Sequence, residues 1–201
     1  WNLIGTLVGE STYDEYGFSL NLSDDGKRIA IGAPYNDGNL TSSGHARVFD
    51  YDGLMWNQLG NDIDGESSFN LSGTAVSLSG DGNTVAIGAP SNLNSNGQTG
   101  HTRVYKWDGT SWNQSGGDID GETVNDFFGC TLSLNTSGSI LAIGGKLNDG
   151  TGINAGHTRI YQFQGTNWTQ MGLDFEGDTA NDQLGYAVSI DSLGLPLAIA
   201  A

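Results

Sequence analysis

Basic residues are scarce in this sequence. Its 201 residues include 7 lysines and arginines against 23 aspartates and glutamates, which gives a formal net charge of −16 at pH 7. A surface of this sign repels phosphate backbones and anionic lipid headgroups. The composition therefore predicts no nucleic-acid partner.

Long apolar runs and paired cysteines are missing too. No run approaches the roughly 20 apolar residues of a membrane-spanning helix, so no membrane insertion is expected within these residues. Because the chain opens on Trp1 and not on a signal peptide, we expect any export signal or anchor to lie outside it. Cys130 is the single cysteine, so no internal disulfide forms, and its apolar neighbours favour packing over a reactive thiol.

A helical period is absent, and the pattern that replaces it is typical of strands. Apolar runs of four to six residues alternate with Asn, Asp, Ser and Gly, and glycine alone contributes 32 residues. Short apolar runs bounded by such residues indicate strands joined by tight turns. The sequence therefore predicts an all-β fold.

A repeat of about 56 residues runs through the whole chain. Four copies open on a tryptophan, at spacings of 55, 56 and 56 residues: Trp1, Trp56, Trp112 and Trp168. One glycine returns in every copy at intervals of 56: Gly17, Gly73, Gly129 and Gly185. A period of this length is typical of propellers and solenoids.

Each copy contains four strand-like segments. In the second full unit they are 74–78, 84–89, 101–107 and 112–119, with tight turns inside the first and the last pair. Four antiparallel strands per repeat predict the blades of a β-propeller, with Val85, Ile87 and Val104 buried between sheets. The alternatives are a β-solenoid, whose coils are usually shorter, and a Greek-key sandwich, which does not require repeated units.

Two short motifs recur in this pattern. One is Tyr16-Gly17-Phe18-Ser19, matched by residues 128–131, and the other is Ile31-Gly32-Ala33-Pro34, matched by residues 87–90. Together they resemble the FG-GAP repeats of integrin alpha-subunit propellers and their bacterial and algal relatives. The resemblance implies a β-propeller, typically seven-bladed, that works outside the cell or on its surface in adhesion or protein recognition.

The family's calcium sites are not expected in this chain. In such repeats an Asp-rich loop between the first two strands often holds calcium, which needs six to eight oxygen ligands. Here that connection is as short as Ser23-Asp24-Asp25-Gly26 or Ser79-Gly80-Asp81-Gly82. Two carboxylates at most cannot build the site, so no cofactor is predicted there.

The number of repeats bears on the domain organisation. At about 56 residues each, 201 residues hold about 3.6 units, whereas closed propellers have four to eight blades. We expect a single propeller segment of a longer polypeptide, with repeats at about 1–55, 56–111, 112–167 and, in part, 168–201. The alternative is a half-propeller that closes by pairing with another copy of itself.

A histidine and an arginine recur together on the third strand. The histidines are too far apart to share one metal ion. Folding the third strand onto the fourth pairs each histidine with an aspartate and places Arg103 over Gly116. The predicted structural pairs are His45 with Asp62, His101 with Asp118, and His157 with Asp174. Each histidine is expected to have a raised pKa beside its carboxylate.

Acidic runs such as Asp118-Ile119-Asp120-Gly121-Glu122 end the fourth strands. Alternating acids point the same way, so a divalent cation such as calcium is conceivable there. The spacing does not match an EF-hand loop, and pairing with His and Arg uses some of the charge. Metal binding is therefore not the favoured interpretation.

The long connections predict where a ligand binds. Loops between strands two and three, and between strand four and the next strand one, share one face of a propeller. The candidate binding residues on these loops are Asp14, Asn36, Asp37, Asn125, Asp126, Asn148, Asp149, Asn181 and Asp182. The alternative is that they only close polar turns.

Two functions fit these features. The first is an extracellular or cell-surface module for adhesion, protein interaction, self-assembly or scaffolding. The second is a carbohydrate-binding propeller with Trp, Asn and Asp in one pocket per blade. Because no non-repeating cluster of His, Ser, Cys or acid stands out, the sequence predicts that the protein is not an enzyme.

Overall fold

The fold is a row of antiparallel sheets, seen in a computed structural model that describes residues 3–95, 97–195 and 197–201. No helix occurs among these residues. Nothing in this part of the chain forms a helix with the length and apolar character needed to cross a membrane. Trp1, which opens the first repeat, lies outside the described residues.

The first sheet shows the plan of every blade. Its strands pair in chain order, β1 with β2, β2 with β3 and β3 with β4, while β5 continues the pairing along β3. Each neighbouring pair is antiparallel, as expected of short strands joined by tight turns. The strands are β1 (Ser19–Leu22), β2 (Arg28–Ala33), β3 (His45–Tyr51), β4 (Trp56–Gln58) and β5 (Ile63–Asp64).

The second and third sheets repeat this order, and a fourth is begun. The second sheet contains β6 (Ala75–Leu78), β7 (Thr84–Ala89), β10 (His101–Trp107), β11 (Trp112–Gln114) and β12 (Ile119–Asp120), with a small hairpin of β8 (Leu93–Asn94) and β9 (Gly97–Gln98) in its loop. The third contains β13 (Phe128–Leu134), β14 (Ile140–Gly145), β15 (His157–Phe163), β16 (Trp168–Gln170) and β17 (Phe175–Glu176). A last hairpin pairs β18 (Ala187–Ile190) with β19 (Leu197–Ala200).

The hydrophobic core lies between successive sheets. Val85, Ile87 and Val104 are buried, which confirms the prediction for these three side chains. Val85 and Ile87 pack with residues of the first sheet, whereas Val104 packs with residues of the third. Each such side chain contributes about 1.5–3 kcal/mol by leaving water, so one sheet is stabilised by the next.

Strand two of each blade lies against the backbone of the following blade. A Cβ added at Gly88 would overlap the carbonyl oxygen of Gly129, and one at Gly32 would overlap that of Gly73. Because only glycine allows this approach, the repeated glycines are explained by contact between repeats.

Hydrogen bonds between innermost strands also join the blades. The amide of Leu78 donates to Asn21 Oδ1 over 2.7 Å, and the amide of Leu134 donates to Ser77 Oγ over 2.9 Å. Ser133 Oγ accepts in the same way from the amide of the last blade's Ile190, over 3.1 Å. Each blade thus satisfies a backbone donor of its successor.

The fourth strand differs from the prediction. A single strand over 112–119 was expected, but β11 and β12 are separate pieces joined by residues 115–118. Tyr105 pairs with Gln114 as deduced, whereas His101 pairs with Asp120 and not with Asp118. The predicted register is therefore wrong by two residues beyond the break.

The long connections share one end of the sheets, which we call the loop face. Isolated bridges join them, Gly44 with Ser72 and Gly156 with Leu184. The opposite end carries tight turns, in which Asp25 Oδ1 accepts from Ser23 Oγ and from the amide of Lys27. Asp25, one of the two carboxylates in the connection where a calcium loop was considered, is thus hydrogen-bonded within its own turn.

Candidate functional site

Four of the predicted binding residues are buried inside the loop face. Asp14, Asn36, Asp126 and Asn148 all lie out of contact with solvent. Asn36 Nδ2 donates to Asp14 Oδ2 over 2.9 Å, and Asn36 Oδ1 accepts from the amide of Gly38. These side chains hold the loops from within, because a buried amide or carboxylate needs hydrogen-bond partners. The prediction that these four side chains contact a ligand is corrected, because they are buried within the loops.

The other five lie nearer the surface, and three of them, Asp37, Asp149 and Asp182, accept hydrogen bonds that close turns. Asp37 Oδ1 accepts from the amide of Ser42 over 2.6 Å, and Asp149 Oδ1 does so from Asn154 over 2.7 Å. Such side chains order the loops and remain exposed to a partner. The exposed residues are Asp37, Asn125, Asp149 and Asn181, and Asp182 is half-buried.

An apolar groove, which sequence reasoning missed, lies on the loop face. It has a volume of about 310 Å³ and is lined by residues from all four repeats. Phe18 and Tyr186 are 58 % and 57 % exposed, and Lys146 Nζ lies 4.8 Å from the centre of the Tyr186 ring. The sequence signal for this groove was the pair of short motifs, because Phe18 lies within one of them and Tyr35 directly follows the other. The lining residues include Phe18, Tyr35, Phe127, Lys146 and Tyr186.

Cys130 also lines this groove. It is half-buried, and its thiol lies 3.5 Å from the carbonyl oxygen of Gly144. Burial raises the pKa of the Cys130 thiol, so the reactive thiolate is disfavoured.

A second candidate is a set of three equivalent clusters, here called the acid–histidine clusters. Each contains a glutamate from the connection that precedes a sheet and a histidine, an arginine and an aspartate from that sheet, with the histidine buried. The members are Glu10, His45, Arg47 and Asp62; Glu66, His101, Arg103 and Asp118; and Glu122, His157, Arg159 and Asp174.

The arginine joins the two carboxylates of a cluster. Arg103 Nε and Nη2 each donate to Asp118 over 2.7 Å, and Nη2 also contacts Glu66, which follows the last strand of the first sheet. A two-point guanidinium–carboxylate pair of this kind is geometrically specific. The expectation that arginine lies over a facing glycine is therefore wrong, and Arg103 instead links two repeats.

The three histidines point at these carboxylates from the buried side. His45 Nδ1 lies 3.5 Å from Asp62 Oδ2, and the corresponding distance is 3.7 Å both for His101 with Asp118 and for His157 with Asp174. The shift of two residues keeps each aspartate on the face of its histidine, because side chains alternate with a period of two. None of the three Nδ1 atoms has a hydrogen-bond partner.

The predicted direction of the histidine pKa shifts is wrong. Burial lowers the pKa of His101 to about 4, and Arg103 lowers it further against the opposing effect of Asp118. Burial also lowers the pKa of His45 and of His157. Loss of water around the charged imidazolium outweighs the neighbouring carboxylate.

One more carboxylate lies beside each cluster, on the residue that pairs with the histidine across the strands. Burial raises the pKa of Asp64, Asp120 and Glu176, and the aspartate of the same cluster raises it further. Glu176 Oε2 is buried without a hydrogen-bond partner. The clusters therefore carry more acid than their single arginine balances.

The repeated tryptophans pack between blades. Trp112 Nε1 donates to the carbonyl of Leu59 over 2.7 Å, and Trp168 Nε1 donates to that of Ser115 over 2.9 Å. Each indole is thus fixed on the preceding blade and is half-buried. These rings are not free platforms for stacking a sugar.

Comparison with known proteins shows the fold. No family model and no curated protein matches the chain. A putative 6-phosphogluconolactonase from Bacteroides fragilis NCTC 9343 has a TM-score of 0.55 at 14 % identity, over 90 % of this chain and 41 % of that one. The Swd1 β-propeller domain of Myceliophteria thermophila has 0.54 at 10 %, over 90 % and 48 %. The complex of KlAtg21 with the coiled coil of AgAtg16 has 0.57 at 14 %, over 87 % and 47 %.

These matches establish an all-β fold of the β-propeller kind, and this chain spans less than half of each matched chain. They also correct the prediction that the protein is not an enzyme. A putative 6-phosphogluconolactonase has a similar fold, and a fold does not determine function, so the argument from a missing catalytic cluster does not hold.

Proposed function

We propose that this propeller segment is a binding module for protein partners, and that it holds them in the apolar groove of its loop face. The observation that carries the proposal is the exposure of aromatic side chains from several repeats around one groove, Phe18 and Tyr186 among them. Aromatic residues exposed together within a polar surface are typical of protein interaction sites.

Charge defines the partner more closely. The protein has a formal net charge of −16, and the loops on this face expose Asp37 and Asp149. Opposite charge speeds encounter and favours the correct orientation. The partner we propose is a protein segment with an apolar side chain for the groove and lysine or arginine on either side.

A matched structure and the short motifs support this proposal. KlAtg21, which has a similar fold, is found in complex with the coiled coil of AgAtg16. The motifs at 16–19 and 31–34 resemble FG-GAP repeats. We propose on that basis a seven-bladed ring of the FG-GAP kind, outside the cell or on its surface, of which this chain forms a part.

The test is selection of peptides from a displayed random library on the wild-type protein and on matched variants. Phe18→Ser and Tyr186→Ser change the groove, whereas Leu54→Ser changes a still more exposed apolar residue in a turn at the opposite end. We expect wild type and Leu54→Ser to enrich the same basic and apolar peptides. The groove variants should bind them at least about tenfold more weakly, which corresponds to about 1.4 kcal/mol.

Equal binding by the groove variants would contradict the proposal. So would the absence of any enriched peptide. A glycan array probed with the same four proteins gives the alternative its own outcome, since saccharide binding without peptide binding would favour the carbohydrate-binding module.

A further inference from the structure

We propose that each acid–histidine cluster is a binding site for a divalent transition-metal ion, with one nitrogen and two oxygen ligands. In the second blade the ligands are His101 Nδ1, an oxygen of Asp118 and an oxygen of Glu66. The equivalent triads are Glu10, His45 and Asp62, and Glu122, His157 and Asp174.

The spacing of the donor atoms suits one ion per cluster. In every triad the three donor atoms lie within 4.8 Å of one another. Two ligands of a tetrahedral Zn²⁺ with bonds of about 2.0–2.2 Å lie roughly 3.3–3.6 Å apart. The Nδ1 to Oδ2 distances of 3.5, 3.7 and 3.7 Å are close to this separation already. Only the flexible glutamate has to move inward, since in two triads it lies 4.0 Å from the histidine.

The buried imidazoles are a second, independent observation. His45, His101 and His157 are 1 %, 4 % and 0 % exposed, and each directs an unpartnered Nδ1 at the carboxylates. A buried polar atom without a partner is costly. The same unsatisfied atom at three equivalent positions indicates a ligand that all three would bind.

Charge favours a cation at the same point. Around His101 stand the carboxylates of Glu66, Asp118 and Asp120, against the single guanidinium of Arg103. Arg103 Nη2 contacts Glu66 Oε2, whereas His101 Nδ1 lies nearer Glu66 Oε1, and both lie near Asp118 Oδ2. A dication between the imidazole and the carboxylates would balance the remaining acid.

The mixed donor set selects the kind of ion. Imidazole with carboxylates suits Zn²⁺, Co²⁺ and related ions, whereas calcium prefers oxygen ligands alone. These sites differ from the calcium loops considered between the first two strands. Because the glutamate lies in the connection from the preceding sheet and the histidine in the sheet that follows, a bound ion would tie this connection to the blade.

Titration of the untagged protein with ZnCl₂ by calorimetry tests this inference, since the chain has only 3 histidines. We expect a stoichiometry near three. Each single variant, His45→Gln, His101→Gln or His157→Gln, should lower it by one. Asp178→Asn removes an exposed acid outside the clusters and should leave it unchanged.

Two further measurements test the proposal even if the histidine variants fail to fold. In wild-type protein, nitrogen NMR should show the Nδ1 signals of all three histidines shifting on addition of Zn²⁺. Glu66→Gln, which alters an exposed ligand, should weaken the second site and leave the His157 signal responsive. Histidine signals that do not move, or a stoichiometry insensitive to the histidine variants, would overturn the proposal and identify any bound zinc as adventitious.

Discussion

The innermost strands of the first and second blades, β1 and β6, occupy equivalent positions in the repeat but have different surroundings. Leu22 in β1 and Leu78 in β6 are 56 residues apart, yet Leu22 is 48 % exposed and Leu78 is 5 % exposed. Strand β6 packs against both β1 and β13, whereas β1 packs against β6 and no strand precedes it among the described residues. Burial at this position is therefore created by the preceding sheet, which β6 has and β1 lacks among the described residues, and not by the strand itself.

This comparison shows how the chain is stabilised. In a repeat protein, stability is approximately a sum of terms within repeats and terms between neighbours. The acid–histidine clusters are alike in the first and second sheets, unlike β1 and β6. Glu10, which precedes the first sheet, completes the cluster there too. Matched substitutions in the two regions therefore distinguish contacts that need a neighbouring sheet from contacts that do not.

The largest expected effect comes from shortening the matched leucines. Leu78→Ala should lower the free energy of unfolding by about 2–5 kcal/mol, because it leaves a cavity between two sheets. Leu22→Ala should cost less than about 1 kcal/mol, because water already reaches that side chain. Denaturant unfolding of both variants measures the difference, and equal losses would show that burial between blades is not what stabilises β6.

A matched pair of glycines comes next. Gly17 and Gly129 both have positive φ angles, of 91° and 88°, so alanine is strained at either position. A Cβ at Gly129 would also meet the carbonyl oxygen of His101 at 2.5 Å, whereas at Gly17 nothing lies within 4 Å. Gly129→Ala should therefore be less stable than Gly17→Ala by about 1–3 kcal/mol. Melting curves that coincide would argue that backbone strain alone explains these glycines.

The sequence predicts the strands well where the pattern is local. The bounds at 84–89 and 101–107 agree with the structure, because alternating apolar residues and turn residues define them. The break after Gln114 was not predicted. It shifts the pairing of the two strands by two residues, which leaves every side chain on the same face of the sheet, so the alternation of apolar and polar residues does not reveal it. The turn there uses Gly116, whose φ angle is 88° and whose environment is the Trp168 ring of the next blade.

The candidate site was predicted in part. The loop face and the proximity of histidine to aspartate follow from repeated spacing. The direction of the histidine pKa shifts does not, because it depends on burial of the ring and on Arg103, whose contacts include Glu66, 37 residues away in the chain. The groove was missed because Phe18 and Tyr186 come from distant repeats.

The third prediction concerns pH. The pKa of His101 falls from an unfolded value near 6.5 to about 4 on folding, so the unfolded chain binds more protons between these values. The stability from neutral His101 is fully present above about pH 6.5 and is lost as pH falls toward 4. Between pH 7 and pH 5 the loss from this residue should be about 1–2 kcal/mol.

The neighbouring acids modify this dependence in known directions. The raised pKa of Asp120 opposes the loss as pH approaches 4, while the lowered pKa of Asp118 adds to it only at more acidic pH. Histidine titration by NMR, with unfolding measured at each pH, checks the sign for all three clusters. A His101 pKa above 6.5 would contradict it.

The smallest effect is expected from the link between repeats at Glu66. In metal-free buffer, Glu66→Gln should cost less than about 1 kcal/mol, because the pair with Arg103 is partly exposed and Arg103 keeps Asp118. Glu10→Gln should behave alike, since the first cluster has the same members. A loss of several kcal/mol in either variant, measured by denaturant unfolding, would make the charged link and not the apolar core the main contact between blades.

The hydrogen bonds between innermost strands have a direction that bears on biosynthesis. The side chains of Asn21, Ser77 and Ser133 each accept a hydrogen bond from a backbone amide of the blade that follows them in the chain. Since a ribosome releases the chain from its amino terminus, the accepting side chain always emerges before the donor it receives. Each finished blade can therefore act as a template for the one still being made, and we expect folding during translation to advance from the amino terminus one repeat at a time.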